Sequence, residues 1–448
     1  MFSLKVDLIK GNILKSLIIF AIPLFISNVF QQLYNTMDTM IVGNFLGDTS
    51  LAAIGACSAI YELLVGFALG IGNGLSIVTA RSYGSNDKEL LKKSVAGSVV
   101  IGIFVTVVIM IISQLFLFPL LKVLNTPENI IQESYSYIYT VTLFVGVMFI
   151  YNLCAGLLRS IGNSVMPLVF LIISSALNIG LDILFITQFN MGIKGAAIAT
   201  VISQGISGIL CIIYIYKKCP ILIPSKEHFT FDKNLYKELL GQGLSMGFML
   251  SIVSTGTVIL QVAINNLGYL IIAGHTAARK LNSFCMMPGA TIALALSTFV
   301  SQNKGADQGH RIRQGVRYAN ILAVSWAVII SIILFFSSSI LVKILSGSNE
   351  SVVIENGAKY LMINAPFYGV LGILLNLRYS LQGLGQKLIP LVSSVIEFFG
   401  KVVFVLLLIP TLKYFGVIIC EPVIWCLMCM QLAYAFYKNS YIQQHKFK

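Results

Sequence analysis

The sequence predicts an all-α membrane protein in which twelve transmembrane helices form two pseudo-symmetric six-helix bundles. Three observations support this fold class: the composition, the length of the apolar segments, and an internal repeat. Of the 448 residues, 57 % are hydrophobic and 10 % are charged, whereas soluble globular proteins carry about 25 % charged residues. The composition excludes a water-soluble fold. It also excludes a disordered chain, which requires low hydrophobicity and high charge.

Twelve apolar segments are long enough to cross a bilayer, because a helix of about 20 apolar residues spans a hydrocarbon layer of roughly 30 Å. The predicted spans, in chain order, are residues 16–45, 51–79, 94–118, 135–157, 166–188, 196–216, 242–265, 271–300, 317–337, 358–380, 388–410 and 416–437.

The distribution of basic residues predicts the orientation of the spans. Because the number of spans is even, both chain ends lie on the same side of the membrane. That side carries 22 Lys and Arg residues, among them Arg378, Lys446 and Lys448, against five on the other side. By the positive-inside rule, both termini are expected in the cytoplasm. Bases in short loops do not form a groove for phosphates, so we expect no nucleic-acid partner.

The chain divides into two similar halves at one long hydrophilic connection, residues 217–241. LRSIGNSVMP at 158–167 corresponds to LQGLGQKLIP at 381–390, and further matches keep an offset of 221 to 223 residues. A constant offset indicates two related bundles. The predicted domains are an N-terminal lobe at 1–216 and a C-terminal lobe at 242–448. Parallel repeats of this kind form the cleft of alternating-access transporters.

Two aspartates in the first half are the strongest candidates for a functional site. An ionisable side chain within the hydrocarbon layer costs several kcal/mol unless it is paired, protonated or hydrated. In the first span Gln31, Tyr34 and Asp38 share one helix face, and in the fifth span Asn178 and Asp182 are four residues apart and also share a face.

Neighbouring spans add Asn152, Thr200 and Gln204 to this set of polar groups. Oxygen ligands suit a hard cation such as Na⁺. Two carboxylates in a low-dielectric pocket disfavour double ionisation, so the same site can hold a proton instead. The alternative is a structural hydrogen-bond network between helices.

The remaining acids within the spans have less specific surroundings. Glu62 is interpreted either as a handle for a cationic substrate or as a residue in a hydrated vestibule. Glu397 precedes Lys401 by one helical turn, which indicates a structural ion pair. Glu421 lies close to the outer end of the last span and is expected at the membrane interface. The repeat places Lys401 opposite Asn178 and recovers no second carboxylate pair, so ion coupling is expected in the first half alone.

Pro23 lies inside the first span, where its ring removes one backbone hydrogen bond and bends the helix. Because the same helix carries Asp38, we interpret the bend as a hinge; an ordinary helix kink is the alternative.

Several segments resemble the bacterial branches of the multidrug and toxic compound extrusion (MATE) family, and the resemblance covers essentially the whole chain. It rests on IPLFISNVFQQLYNTMDTMIVGNFLG at 22–47, GLLRSIGNSVMP at 156–167, ALNIGLDILFI at 176–186, GIKGAAIATVISQ at 192–204 and AGHTAARKLNSFCMMPG at 273–289. The resemblance implies two six-helix lobes in a V shape that exchange cationic or amphipathic compounds for H⁺ or Na⁺.

By the same resemblance, the family's bending proline corresponds to Pro23, and its N-lobe cation site corresponds to Asp38, Asn152, Asn178, Asp182 and Thr200. Some branches carry acids on the seventh and tenth helices, but this sequence has none there, which puts a C-lobe ion site in doubt. His275 and Arg279 fall where the family often has polar groups, and both cavity lining and interhelical bonding stay open for them.

The function predicted from these features is export of cationic or amphipathic compounds coupled to entry of H⁺ or Na⁺. Neither a cofactor nor a catalytic residue is expected, and Na⁺ is possible at Asp38, Asn178, Asp182 and Thr200. Methionines are adaptable and suit an unselective surface. The candidates for the substrate cleft are Gln31, Tyr34, Glu62, Gln204, Met246, Met249, His275, Arg279, Met286 and Met287. We expect a monomer in the bacterial inner membrane.

Two other functions are weighed. A flippase or exporter for a lipid-linked or anionic metabolite would need a strongly cationic cleft, and only Arg279, Lys280 and Lys401 are available at membrane depth. A membrane-embedded enzyme would need clustered catalytic groups. Of the four histidines only His275 lies inside a span, and no H-E-x-x-H motif is present.

Overall fold

The computed structural model describes residues 5–124 and 126–445, and within these ranges the chain folds into helices joined by short turns. Lys446 and Lys448, counted among the cytoplasmic bases, lie outside the described residues.

The α-helices of the described ranges follow one another closely along the chain. They are α1 Ile13–Leu46, α2 Asp48–Gly84, α3 Lys88–Val123, α4 Glu128–Leu143, α5 Val145–Ser160, α6 Val165–Ile183, α7 Ile193–Lys218, α8 Lys233–Asn265, α9 Tyr269–Gly305, α10 Gly309–Ser346, α11 Ser351–Asn364, α12 Tyr368–Gly383, α13 Leu388–Val403, α14 Ile409–Leu412, α15 Tyr414–Tyr437 and α16 Ser440–Gln444.

The prediction of twelve spans is confirmed when one bent pair is counted as a single crossing. Within the described residues, eleven helical segments are long and apolar enough to cross a membrane, and α4 with α5 makes a twelfth with a bend of 48°. The bend falls at Phe144, between the two helices. A 3₁₀ turn at Ala365–Phe367 interrupts the corresponding span of the second half, between α11 and α12.

The described chain forms two compact units. The first contains the residues up to Ile9 together with Ile19–Ser251, and the second contains Lys10–Ile18 together with the residues from Ile252 onward. The lobes predicted from sequence were separated at the hydrophilic connection 217–241, whereas this division falls inside α8. The physical reason is that the first half of α8 packs against α2 of the N-terminal unit.

Each unit contains one π-helical turn at an equivalent place. Leu184–Gln188 continues α6 in the N-terminal unit, and Phe404–Leu408 continues α13 in the C-terminal unit. A π-turn adds a residue to the helix and is frequently found at functional sites. The repeat indicated by the sequence motifs is therefore also visible in the backbone, next to the polar residues of α6 and of α13.

Glycines allow α8 to approach α2 closely. A Cβ atom added at Gly74 of α2 would collide with the backbone of Gln242 and Gly243 of α8, and one added at Gly70 would meet the backbone of Gly247. Small residues permit such close backbone packing between membrane helices. This contact fixes the first half of α8 within the N-terminal unit.

Replacing Gly74 with Ala is expected to destabilise the N-terminal unit by about 1–3 kcal/mol, because the added methyl group meets backbone that cannot move aside. Thermal unfolding in detergent, followed with a thiol-reactive dye that reports exposure of the buried Cys57 and Cys154, measures the effect. Gly55→Ala on the same helix is the matched control. Its Cβ would have nothing within 4 Å, so it should leave the melting temperature unchanged or raise it. Equal melting temperatures for both variants would contradict the packing argument.

Candidate cation site

Three helices of the N-terminal unit bring four of the predicted site residues together. Asp38 lies on α1, Asn178 and Asp182 lie on α6, and Thr200 lies on α7. Asn178 and Asp182 are completely buried, and Asp38 and Thr200 are each 8 % exposed. The spacing of four residues between Asn178 and Asp182 places both side chains on the face of α6 that is buried in the bundle.

The hydroxyl of Thr200 is the centre of a small hydrogen-bond network. The Tyr34 hydroxyl donates to Thr200 Oγ1 at 3.2 Å, and Asn178 Nδ2 donates to the same oxygen at 3.4 Å. Tyr34 precedes Asp38 by about one turn on α1, so the network links α1, α6 and α7 directly beside the carboxyl groups. The Tyr34 hydroxyl and Asn178 Nδ2 thus donate to Thr200, and the partner of the carboxyl groups has to be another group.

The carboxyl groups of Asp38 and Asp182 lie within hydrogen-bonding range of each other. Oδ1 of Asp38, both carboxyl oxygens of Asp182 and Oδ1 of Asn178 are buried and accept no hydrogen bond from any described donor. Ionised carboxylates can only accept hydrogen bonds, and two like charges in a buried site repel each other. The arrangement therefore fits a positive guest, either a proton shared by the two acids or a small cation held by oxygens.

Two tyrosines that the sequence analysis did not single out also surround Asp38. Tyr61 of α2 and Tyr137 of α4 are close enough to interact electrostatically with the Asp38 carboxyl group. The sequence analysis selected Glu62, the neighbour of Tyr61, but Glu62 is exposed. Successive residues on a helix point about 100° apart, so only one of this pair can face the site. Tyr61 is therefore the member of this pair that faces Asp38, and Glu62 keeps its interpretation as a substrate handle or a residue in a hydrated vestibule.

Three other residues of this unit, Asn152, Gln204 and Gln31, were predicted for the cation site or the substrate cleft. Asn152 donates through Nδ2 to the Met148 carbonyl of its own helix at 2.9 Å, and among the described residues no hydrogen bond joins it to the aspartates. Gln204 is buried one turn beyond Thr200, and its Oε1 accepts no hydrogen bond from a described donor. Gln31 is half-buried on α1, one turn before Tyr34.

Pro23 lies inside the continuous helix α1 and is buried. The carbonyl group of Pro23 accepts a hydrogen bond from Ser27 Oγ at 2.8 Å. This side-chain bond is additional to the backbone ladder and does not replace the hydrogen bond that Pro23 removes, which belongs to the carbonyl group four residues earlier. The helix is therefore weakened at this point without being broken.

The predicted methionine surface is not accessible as a whole. Met246 and Met249 are each 2 % exposed, and Met287 is 9 % exposed. Met246 lies at the close crossing of α8 with α2, where its backbone approaches Gly70. Met286 alone is half-buried. In this structure, Met246 and Met249 do not line an accessible surface, because the glycine contacts draw that part of α8 into the packed interior.

In the C-terminal unit, Arg279 and Glu421 form an ion pair. Arg279 Nη1 lies 2.7 Å from Glu421 Oε1, and the Tyr360 hydroxyl donates to Glu421 Oε2 at 2.9 Å. Glu421 is 7 % exposed, so it is enclosed by protein and not open to solvent. Its position near the end of α15 suggested solvent, but side chains of α9 and α11 enclose it.

His275 is buried and its Nδ1 shares a hydrogen bond of 3.2 Å with the Tyr414 hydroxyl. These contacts are of the interhelical kind.

The Glu397–Lys401 ion pair expected from the sequence is present, with Lys401 Nζ 2.9 Å from Glu397 Oε1. Lys401 Nζ also donates to Thr257 Oγ1 at 3.1 Å. Arg378, which was counted among the loop bases, is instead 5 % exposed within α12, with Nη2 3.7 Å from Glu397 Oε2. Arg378 can be buried because Glu397 on α13 provides a negative charge beside it.

Lys401 occupies the place in the second half that Asn178 occupies in the first. The repeat offset of 223 residues relates Lys401 to Asn178, and it also relates Thr257 to Tyr34. In both halves these residues come from the helix before the π-turn and from the first helix of the repeat. The N-terminal set leaves oxygens open for a cation, whereas the C-terminal set contains a covalently attached ammonium group.

Comparisons with known proteins give a consistent result. A family model described as MatE matches residues 23–184 and again residues 246–407. The probable multidrug resistance protein YoeA of Bacillus subtilis is 29 % identical over 440 residues, which cover 96 % of this chain and 94 % of that protein. The probable multidrug resistance protein YpnP of the same organism is 27 % identical over 400 residues, covering 88 % of this chain and 87 % of that protein.

Solved structures share the fold at low sequence identity. A crystal structure described as MATE in the bent conformation superimposes with a TM-score of 0.88 at 20 % identity and covers 98 % of both chains. A transporter from Pyrococcus furiosus, described as having a binding pocket of reverse polarity, superimposes with a TM-score of 0.84 at 21 % identity, covering 98 % of this chain and 100 % of that one.

Replacing Glu397 with Gln is expected to lower the stability of the C-terminal unit by about 3 kcal/mol, because Lys401 then stays buried without its counter-charge. Thermal unfolding followed by the fluorescence of Trp326 and Trp425, which both lie in the C-terminal unit, measures the loss. The double variant Glu397→Gln with Lys401→Met should recover part of it, since both partners of the pair are then uncharged while Arg378 still lacks its acid. Glu355→Gln, at an exposed glutamate of α11, is the control and should change stability by less than about 0.5 kcal/mol. A melting temperature of Glu397→Gln equal to that of the control would refute the assigned role of the pair.

Proposed function

Because the chain belongs to the MatE family of membrane transporters, we propose that it is a cation-coupled antiporter that exports cationic or amphipathic compounds by alternating access. The observation that supports this proposal most is the buried contact between Asp38 and Asp182, in which Asp38 Oδ1 and both Asp182 oxygens lack hydrogen-bond donors among the described residues. The coupling cation, H⁺ or Na⁺, is cargo of the transport cycle and occupies this contact for part of it.

The proposed mechanism couples occupancy of the site to the position of α1. An empty site leaves two carboxylates that repel each other, and this repulsion favours separation of α1 from α6. A cation between Asp38 and Asp182 removes the repulsion and holds α1 in place, together with the hydrogen bond from Tyr34 to Thr200. Any ligand that favours the other position of α1 must weaken cation binding by the same factor, which is the thermodynamic requirement for exchange.

Pro23 provides a point at which α1 can bend when the occupancy of the cation site changes. A proline leaves the carbonyl of an earlier residue without its backbone donor, so the helix bends there at lower cost than elsewhere. Pro23 lies about four turns from Asp38 along α1. Movement around this point shifts one end of the helix relative to the other while the helix on either side stays intact.

Charge pairing in the C-terminal unit favours cationic or amphipathic substrates over anionic ones. Two of the cations at membrane depth, Arg279 and Lys401, each form an ion pair with a glutamate, Glu421 and Glu397 respectively. The positive field that an anionic substrate would need is therefore largely neutralised. The names of the Bacillus subtilis relatives refer to multidrug resistance, which supports export of small molecules.

The proposed location is the cytoplasmic membrane of a bacterium, with the protein a monomer and both termini in the cytoplasm. This orientation rests on the excess of basic residues on the side of the chain ends, 21 against five when the buried Arg378 is left out of the 22.

The variants Asp38→Asn and Asp182→Asn are each expected to lower gradient-driven efflux of a cationic dye by at least about tenfold, because each removes one of the charges that bind the cation. The measurement uses proteoliposomes under a proton gradient and, separately, under a sodium gradient; the gradient that drives efflux in the unmodified protein identifies the coupling ion. Glu355→Gln, which changes an exposed acid outside the site, is the control. Undiminished gradient-driven efflux in Asp38→Asn would exclude the proposed coupling site.

Pro23→Ala is expected to slow transport without weakening equilibrium binding of the dye or the cation. Ala is favoured over Pro by about 3 kcal/mol inside a helix, so the substitution stiffens α1. Initial efflux rates in proteoliposomes and dye binding to the detergent-solubilised protein separate the two effects. Pro119→Ala, which replaces a proline inside α3, is the matched control and should transport normally. If the two proline variants transport equally fast, Pro23 is an ordinary kink.

A further inference from the structure

A groove of about 620 Å³ lies in the C-terminal unit between the beginning of α10 and the end of α15. The basic side chains His310, Arg313 and Arg317 of α10 line it, and Phe436 and Tyr437 of α15 form part of the opposite wall. None of the described residues that line the groove is acidic. The groove therefore has a positive wall and an aromatic wall.

The basic residues share one face of α10, because their spacing of three and then four residues corresponds to successive turns of a helix. Further along the groove, the lining changes to the apolar side chains Ile321 and Val324, which are 50 % and 42 % exposed. From Arg313 to Val324 the helix rises by roughly 16 Å. The lining of the groove thus changes from charged to apolar along α10. Its length is comparable to that of a lipid headgroup together with the upper part of the acyl chains.

Arg313 and Arg317 are available for a ligand. Neither forms an ion pair with an acid among the described residues, and Arg317 is exposed. Guanidinium groups bind phosphate oxygens through paired hydrogen bonds, which makes arginine well suited to a phosphodiester.

The equivalent region of the N-terminal unit is covered by the connection between the halves, and there an acid accompanies the bases. The repeat relates the beginning of α10 to the beginning of α3, where Glu89 accepts a contact of 3.0 Å from His228 Nε2. Further along α3, Gly97 packs against Tyr236 and Leu239 of α8. The connection between the halves thus covers α3. In the second half, α16 brings His445 against Gly309, but the face that carries the two arginines stays open.

We propose that this groove binds an anionic phospholipid of the cytoplasmic leaflet, with its phosphodiester at Arg313 and Arg317 and its acyl chains along Ile321 and Val324. Basic pockets between transmembrane helices on the cytoplasmic side bind anionic headgroups in this way. The site is distinct from the cation site and depends on the proposed orientation of the chain, not on the transported compound. A lipid held there bridges α10 and α15, so it stabilises the C-terminal unit.

Thermal unfolding of the full-length protein in detergent, titrated with phosphatidylglycerol or with phosphatidylcholine, tests the proposal. Phosphatidylglycerol is expected to raise the melting temperature and phosphatidylcholine to have little effect. In the double variant Arg313→Gln with Arg317→Gln, the phosphatidylglycerol concentration for half-maximal stabilisation should rise by about tenfold or more, since each base near the membrane surface contributes several-fold in affinity. Lys92→Gln with Lys93→Gln, at the equivalent part of α3, is the matched control and should respond like the unmodified protein.

Free glycerol 3-phosphate and inorganic phosphate form a separate arm of the experiment. Neither should stabilise the unmodified protein, because neither has chains to occupy the apolar part of the groove. Stabilisation by free phosphate equal to that by phosphatidylglycerol would replace the lipid with a soluble anion and overturn the proposal. An unchanged phosphatidylglycerol titration in the double arginine variant would overturn it as well. If that variant does not fold, Arg317→Gln alone, at an exposed position, provides the same comparison.

Discussion

Two carboxyl groups buried within reach of each other in an apolar helix bundle require a positive charge between them. Asp38 and Asp182 are held in this way by α1 and α6, and the bundle offers no hydrogen-bond donor among the described residues to Asp38 Oδ1 or to either oxygen of Asp182. Tyr34 and Asn178, which lie on the same helices as the two acids, donate to Thr200 instead. The N-terminal unit thus fixes the geometry of the pair but leaves its counter-charge to be supplied from outside, which is the physical basis for proposing that occupancy changes during transport.

At equivalent positions of the repeat, the two halves differ in how a positive charge is provided. The C-terminal unit has Lys401 where the N-terminal unit has Asn178, and the Lys401 ammonium group is held by Glu397 and Thr257. A tethered cation cannot be exchanged, so this half has a permanent counter-charge and its acids have a stabilising role. The internal repeat therefore provides a comparison within one chain: similar backbone, including a π-turn after each polar helix, combined with either an exchangeable or a fixed positive charge.

The sequence patterns predicted those structural features that depend on the spacing of residues along a single helix. They failed for features that depend on a contact with a residue of another helix. The spans, the repeat and the pairing of Asn178 with Asp182 follow from hydrophobicity and from the period of the helix. The surroundings of Glu421 do not, because its ion pair comes from Arg279 of a different helix. Tyr137 was missed for the same reason: a tyrosine in an apolar span has no pattern that reveals which carboxyl group it faces. Burial of Met246 depends on the glycines of α2, which only the packing of two helices shows.

The repeat also pairs the two helices that begin the halves, and here the sequence difference has a mechanical consequence. Pro23 of α1 corresponds to Met246 of α8 at the offset of 223 residues shared by the two family matches. α8 contains no proline, and its first half is locked to α2 by the contact of Gly243 and Gly247 with the glycines of that helix. α1 has a weakened turn and a buried aspartate, whereas α8 has neither. A change of charge can move a helix only if the helix carries the charge and can bend, and of these two helices α1 alone meets both conditions.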